Sequence, residues 1–457
     1  MIEELIWLIA LSIITAILLV YHRTRDPLHP MIFIGPMMLY IYALVPFSVY
    51  KSGELLDLFP DAAALESALL FTLLSVTLFA AGCLRPRVSS RGPKQGGGSL
   101  TLSPLIRKRL AIVGSILGSI GLGVFLYRLA LSGGLTQVYS RPKGGAASLV
   151  SGYFTVAPLL TIPATFLLFL SRHGQRPKAS FVFLILALLS PHWVQGLLGG
   201  SRGPTFLAMG SLFLGWFIIG SRRPPLRAVL VVLVGTGILM MFLKAHRQEL
   251  YVGAEEPVEF KGWREMLVPA RGVKDHASIF SLGGIVAARH HGYCLWGKGI
   301  AVQLFVRAIP RQIWPNKYED VGMSWMVTRP GSLGLSSPQW RQALGWEPNA
   351  GSAAGFVLSA FLEFGWGGLV LAYLLGWGYG ALWRRSIMFG GIWSILYAEA
   401  FIVSVYLTTQ GLISAWGYRF LYLAVPTVIL WRVTVLPGGR DMPTPSIHPS
   451  VPEGNRA

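Results

Sequence analysis

The sequence predicts an all-α, multi-pass membrane protein of about eleven transmembrane helices, with the N-terminus outside and the C-terminus inside. Three observations carry that expectation. Apolar residues make up 53% of the chain and charged residues only 13%, a profile of helical membrane proteins. The apolar residues fall into stretches close to the ~20 residues that a helix needs to cross a hydrocarbon core of ~30 Å. Lys and Arg crowd into alternate short loops, the positive-inside pattern that fixes orientation. Lipid cannot satisfy bare backbone groups and alternating barrel strands are absent, so each stretch is expected to be a helix.

The first stretch, 2–21, follows Met1-Ile2-Glu3-Glu4, an acidic start without a basic n-region or small-residue cleavage site, and reads as a retained span. Spans at 31–50 and 64–84 follow, joined by a loop with Glu54, Asp57 and Asp61. Arg23 and Arg25 precede that pair, and seven cations from Arg85 to Arg109 succeed it. Five more spans are expected at 110–131, 149–171, 180–198, 203–220 and 227–244, with Arg172, Arg176 and Lys178 in one loop and Arg222, Arg223 and Arg227 in another. After a long break come 364–383, 391–411 and 418–436, with Arg384 and Arg385 between the first two. Gly96-Gly97-Gly98-Ser99 has the composition of a flexible linker, and the Pro-rich tail 437–457 that of a disordered cytoplasmic segment. The net charge of +19 is largely explained by these loops, so it indicates topology and a bilayer partner rather than nucleic acid. Cys83 and Cys294 lack CxxC spacing and point to neither a disulfide framework nor a metal site.

The chain therefore divides into helices 1–8 (1–244), an extracytoplasmic segment (245–350), a region with a re-entrant stretch and helices 9–11 (351–436), and the tail (437–457). Structureless segments as long as 245–350 are uncommon and tend to be functional. Within it, 276–288 and 299–309 combine apolar faces with flanking cations and are expected to lie along the membrane interface, together with Trp263, Trp296, Trp314, Trp325, Trp340 and Trp346. Ser352–Gly368 is Gly-rich and interrupted, and is expected to enter the membrane and turn back under cover of protein.

Topology leaves one set of charges unexplained. In Arg307-Ala308-Ile309-Pro310-Arg311-Gln312-Ile313-Trp314-Pro315-Asn316-Lys317, three cations are spaced by prolines that stiffen the segment. Arg presents a planar fork of donors to phosphate oxygens, Lys adds a point charge, and Trp314 can cover a lipid or a sugar face. Arg202 stands in the short outer turn Gly200-Ser201-Arg202-Gly203-Pro204, just before a helix N-terminus that favours anions. Arg128, His192, Gln195, Arg247, Gln410 and Arg419 lie at comparable depth by the same topology. Glu363 is a carboxylate with apolar neighbours on both sides, so it must pair, protonate or face a polar cavity. It is either structural or a general base. Glu399, on the inner half of its helix, reads as structural. His290 and His291 are adjacent and point apart, and no HxxxH, HExxH or DxD cluster occurs, so no metal or cofactor is inferred.

At these residues the chain resembles the bacterial oligosaccharide repeat-unit polymerases of the O-antigen polymerase (Wzy) type. The resemblance runs from Gly292-Tyr293-Cys294-Leu295-Trp296-Gly297-Lys298-Gly299 through Ile309-Pro310-Arg311-Gln312-Ile313-Trp314-Pro315-Asn316-Lys317 to Phe364-Gly365-Trp366-Gly367-Gly368, with Ser201-Arg202-Gly203-Pro204 upstream. Members often carry a carboxylate about one turn before the Phe-Gly element, where this chain has Ser359. The resemblance implies a GT-C-like helical glycosyltransferase of the bacterial inner membrane. It would transfer a glycan from undecaprenyl diphosphate to the sugar end of another lipid-linked repeat unit, with a chain-length regulator as a candidate partner. In that reading Arg311 and Arg202 bind the diphosphate, Arg307 and Lys317 assist, Trp314 contacts glycan or lipid, and Glu363 or a histidine deprotonates the acceptor. An O-antigen ligase shares the donor and topology. A flippase or solute transporter is the reading from another class, although transporters tend to place binding charges in broken helices at the midplane.

Overall fold

In the computed structural model the described residues are 1–85, 102–140, 152–199, 201–220, 224–246, 252, 274, 276–328, 332–349 and 354–435. The linker 96–99, the tail 437–457, Arg247, Trp263 and most of 245–275 lie outside them. Every regular element among the described residues is helical. Nine helical stretches are long and apolar enough to cross a membrane: Ile2–Thr24, Pro30–Lys51, Ala62–Leu84, Pro104–Leu131, Phe154–Ser171, Leu226–Leu243, Gly355–Phe389, Ile392–Thr409 and Ala415–Val435. Ala179–Leu188 and Ser190–Leu197 make a tenth, bent by 56°. The bend has a local cause, because Pro191 lacks the N–H that would continue the ladder to Ala187. The 19-residue helix Arg202–Gly220 stands where the seventh span is expected. A multi-pass helical membrane protein therefore results.

Local chemistry starts several of these helices. The His29 ring accepts the Met31 N–H at 3.2 Å ahead of Pro30, and Asp61 accepts the Ala64 N–H at 3.0 Å. Within Pro30–Lys51 the ladder widens to a π turn at Tyr40–Leu44, where Pro46 cannot donate to the Tyr42 carbonyl.

The Ala62–Leu84 and Gly368–Phe389 helices run parallel and in backbone contact. Phe71 meets Trp366 at 5.5 Å and Phe79 meets Tyr379 at 6.1 Å. A methyl group at Gly82 would strike the Tyr373 carbonyl, and one at Gly376 would strike that of Phe79. Small residues permit this approach where lipid offers no hydrophobic drive.

Gly355–Phe364 belongs to a 35-residue apolar stretch that would measure roughly 52 Å as one straight helix. It folds back instead. Phe356 lies against Phe79 (5.6 Å) and Phe361 against Phe71 (4.9 Å), so this short helix is antiparallel to Ala62–Leu84. The chain reverses at Gly365, whose φ of 54° suits glycine, and returns as Gly368–Phe389. The ninth span thus begins at 368 rather than 364.

The helix Ala277–His290 corrects the expected interfacial placement of 276–288. Residues 278–288 are buried on all faces. Ser278, Ser281, Gly283, Gly284, Ala287 and Ala288 are small, so neighbours close in from every side and no lipid-facing stripe remains. Phe280 stacks on Trp340 at 5.7 Å, and the His276 ring lies 5.9 Å from Tyr40. Trp340 and Trp346 are accordingly buried rather than interfacial, with their indole N–H groups on the Ser332 (3.1 Å) and Leu58 (2.9 Å) carbonyls.

At the end of the bundle remote from Gly365, a buried knot joins the first loop to two late helices. Asp26 accepts the Leu28 N–H (3.0 Å) and the Trp383 indole N–H (2.8 Å), while the Tyr397 hydroxyl donates to the Leu28 carbonyl.

Candidate functional site

The end of the bundle at Gly365 is assembled from segments far apart in sequence. The stretch Gly292–Gly299 docks on the top of the Gly355–Phe364 helix. The Leu295 N–H bonds to the Leu362 carbonyl (2.7 Å), and the Gly297 N–H to the Glu363 carbonyl (3.1 Å). Two of the motif stretches singled out in the sequence are thus in contact.

Glu363 sits at this junction and is only 8% exposed. Its carboxylate lies against the backbone N–H groups of Gly299 and Ile300, at the start of the Lys298–Ala301 helix. That position complements the positive end of a helix. A methyl group at Gly299 would collide with Oε1. Oε2 has no hydrogen-bond partner among the described residues. Glu363 thus sits over the first turn of that helix with Oε2 left over.

Lys298–Ala301 continues through a π turn, Val302–Val306, closed by the Arg307 N–H on the Val302 carbonyl (2.8 Å). Arg307 donates to Gln303 at 2.8 Å and lies 4.0 Å above the Tyr418 ring. A second π turn, Leu412–Gly417, packs against the first and leads into the helix that carries Tyr418 and Arg419. Arg419 donates to the Ala415 carbonyl (2.8 Å), stacks 4.0 Å over Tyr406, and is close enough to Arg307 for mutual repulsion. Tyrosine faces hold both guanidinium groups through cation–π attraction.

Lys317 turns back onto this structure and is only 3% exposed. Its ammonium donates to the carbonyls of Val306 (3.0 Å), Arg307 (3.1 Å) and Ile309, at the end of the π turn. All three protons are committed to backbone. Burial, and then Arg311 and Arg307, lower its pKa below the usual ammonium value. Arg311 is exposed, and its guanidinium lies 5.7 Å from the centre of the Tyr318 ring. Trp314 donates its indole N–H to Asp320 at 2.5 Å.

Arg202 opens its helix and makes no hydrogen bond or ion pair among the described residues. Arg202 is exposed, and its guanidinium lies near enough to Tyr40 to act on it electrostatically. The Tyr406 hydroxyl occupies the space that a side chain at Gly203 would need. Gly203 thus meets Tyr406, Tyr406 carries Arg419, and Arg419 neighbours Arg307, while the Arg202 guanidinium lies near Tyr40. Lys317 and Arg311 lie beyond Arg307.

Other sequence candidates fall elsewhere. Arg128 is buried beside Tyr139 and Phe125, and His192 is buried against the Thr161 hydroxyl at 3.2 Å. Glu399 accepts from Thr427 at 2.5 Å inside the bundle. Tyr406, Tyr418 and Tyr318 escaped the sequence reading, because aromatic residues are abundant in every span and carry no distinguishing pattern. Among the described residues no three His, Cys, Asp or Glu side chains gather as a metal site. No family model, no curated protein and no solved structure matches this chain.

Proposed function

We propose that the protein is a membrane glycosyltransferase, an oligosaccharide repeat-unit polymerase of the bacterial cytoplasmic membrane with a GT-C-like fold. It moves a glycan from undecaprenyl diphosphate to the sugar end of a second lipid-linked repeat unit on the outer face. The observation that carries this reading is that Arg419, stacked on Tyr406, neighbours Arg307, with Arg311 and Lys317 adjoining and the Arg202 turn packed against Tyr406 through Gly203.

The chemistry fits that arrangement. An acceptor hydroxyl attacks the anomeric carbon, the bond from that carbon to the diphosphate oxygen breaks, and negative charge gathers on the departing diphosphate. Preorganised guanidinium groups stabilise that charge more in a crevice than in water. Arg202 and Arg311 supply forks with donors still available, and Arg307 and Arg419 line the way between. Lys317 holds the Arg307–Ile309 backbone in shape, and Trp314 offers a face to glycan or lipid.

The test uses cells that make a laddered surface polysaccharide. Arg202→Ala and Arg311→Ala proteins at normal membrane levels are expected to lower polymer formation by about 100-fold each, the effect of losing one such donor. Full-length ladders from both variants would refute the diphosphate clamp. In a deletion strain, core lipid bearing a single repeat supports a polymerase, whereas unattached polymer points to a ligase. Purified protein that makes polymer from lipid-linked repeats without any gradient excludes transport alone.

A further inference from the structure

Three large apolar side chains on the outer segment are left uncovered: Trp296 is 78% exposed, Phe305 71% and Ile313 75%. Such residues scattered singly are ordinary, but these have company. Ala301 and Ala308 are also exposed, so the Lys298–Val306 element and its exit turn an apolar face outward at 301, 305 and 308. Lys298 and Arg311 are exposed at its margins. Trp296 adopts φ of 52°, a conformation that non-glycine residues rarely hold.

The position of this face says what covers it. Leu295 and Gly297 are bonded to the Leu362 and Glu363 carbonyls, at the top of the fold-back. On the other side of that turn, Trp366 and Val370 are exposed at the head of the Gly368–Phe389 helix, and Leu374 and Trp377 continue the exposed column down it. That column belongs to a membrane-crossing stretch. Trp296 therefore stands beside the head of that exposed apolar column, and the cations at the margin of its own face suit phosphate headgroups.

We propose that residues 296–313 form a lip immersed in the outer leaflet, with bilayer hydrocarbon as the partner of Trp296, Phe305 and Ile313. The π turn then has two sides. Phe305 faces hydrocarbon, and Arg307, immediately after it, faces Tyr418 and Arg419. The lip does not depend on which reaction the cations serve.

The experiment places an environment-sensitive fluorophore at Phe305→Cys in the full chain, reconstituted in lipid nanodiscs. Cys83 is fully buried, so only Cys294 is replaced, by Ser. Val370→Cys serves as the lipid-facing reference and Glu319→Cys as the aqueous one. A lipid with a nitroxide near its headgroup is expected to quench the Phe305 position at least about twofold, as at Val370, while aqueous iodide barely acts. Iodide quenching equal to that at Glu319, with no nitroxide effect, overturns the proposal. Protection from both quenchers also overturns it, since a second copy or another part of the chain would then cover the face. Because the readout is quenching, loss of the lip and loss of the proposed glycosyl transfer are scored separately.

Discussion

Replacing Glu363 separates a structural carboxylate from a catalytic one. The side chain lies against two backbone N–H groups at the start of the Lys298–Ala301 helix, where a carboxylate can cap it, while Oε2 has no partner. Loss of a capping acceptor costs about 0.5–2 kcal/mol, and hydrogen bonds to a charged group are each worth about 1.5–3 kcal/mol. Removing a buried, half-satisfied carboxylate returns part of that, so Glu363→Ala is expected to weaken local closure by about 2 kcal/mol. Glu363→Gln keeps one acceptor oxygen and is expected to cost about 1 kcal/mol. Since about 1.4 kcal/mol is a factor of ten, the Gly299 and Ile300 amides should exchange hydrogen about 30-fold faster in the Ala variant and about fivefold faster in the Gln variant. Exchange measured by mass spectrometry over 296–305 reads this directly. Amides of the Ala variant that exchange within about twofold of the wild-type rate would refute the capping argument. If both variants abolish polymer while protection is unchanged, Glu363 acts as the base instead.

Lys317→Met removes the shared donor to three carbonyls and is expected to loosen 306–317 by about 3 kcal/mol, seen as rapid proteolysis of that segment; unchanged cleavage would count against it. The same residue carries a pH signature. Its pKa is lowered in the fold, so between that value and the usual 10.5 the unfolded chain holds more protons, and the stability it contributes rises with pH. Thermal midpoints of wild type and Lys317→Met should therefore diverge in favour of wild type as pH climbs through that window, and a gap that narrows contradicts the assignment. Gly376→Ala drives a methyl group into the Phe79 carbonyl and is expected to destabilise the purified protein by about 1–3 kcal/mol. An unaltered midpoint would show that the two backbones do not touch.

The spans were legible because a lipid-embedded backbone leaves no alternative to helix, and the hydropathy of 2–21 or 64–84 reports burial in hydrocarbon directly. The fold-back at Gly365 was hinted at by interruption alone. A ten-residue helix such as Gly355–Phe364 does not announce its direction; pairing of Phe356 and Phe361 with Phe79 and Phe71 sets it. Ala277–His290 misled because small residues mimic a weakly amphipathic interfacial helix, when their use is to let Trp340, Trp346 and Leu358 approach. In the site, prolines and isolated cations marked Arg307, Arg311 and Arg202. The attachment of Lys317 to backbone carbonyls left no trace, since carbonyl acceptors exist at every position. The tyrosines beneath Arg307 and Arg419 were hidden in the same way, for their role depends on which helices become neighbours.

The knot of Asp26, Trp383, Leu28 and Tyr397 fixes how the molecule is able to breathe. Buried bonds there clamp the first turn of chain to two of the last helices, like the rivet of a pair of tongs. In the proposed function, widening for a bulky headgroup is expected at the opposite end, where Arg202 and Arg307 stand. Spin labels flanking the rivet should keep a narrow distance distribution under conditions in which labels at the tips broaden.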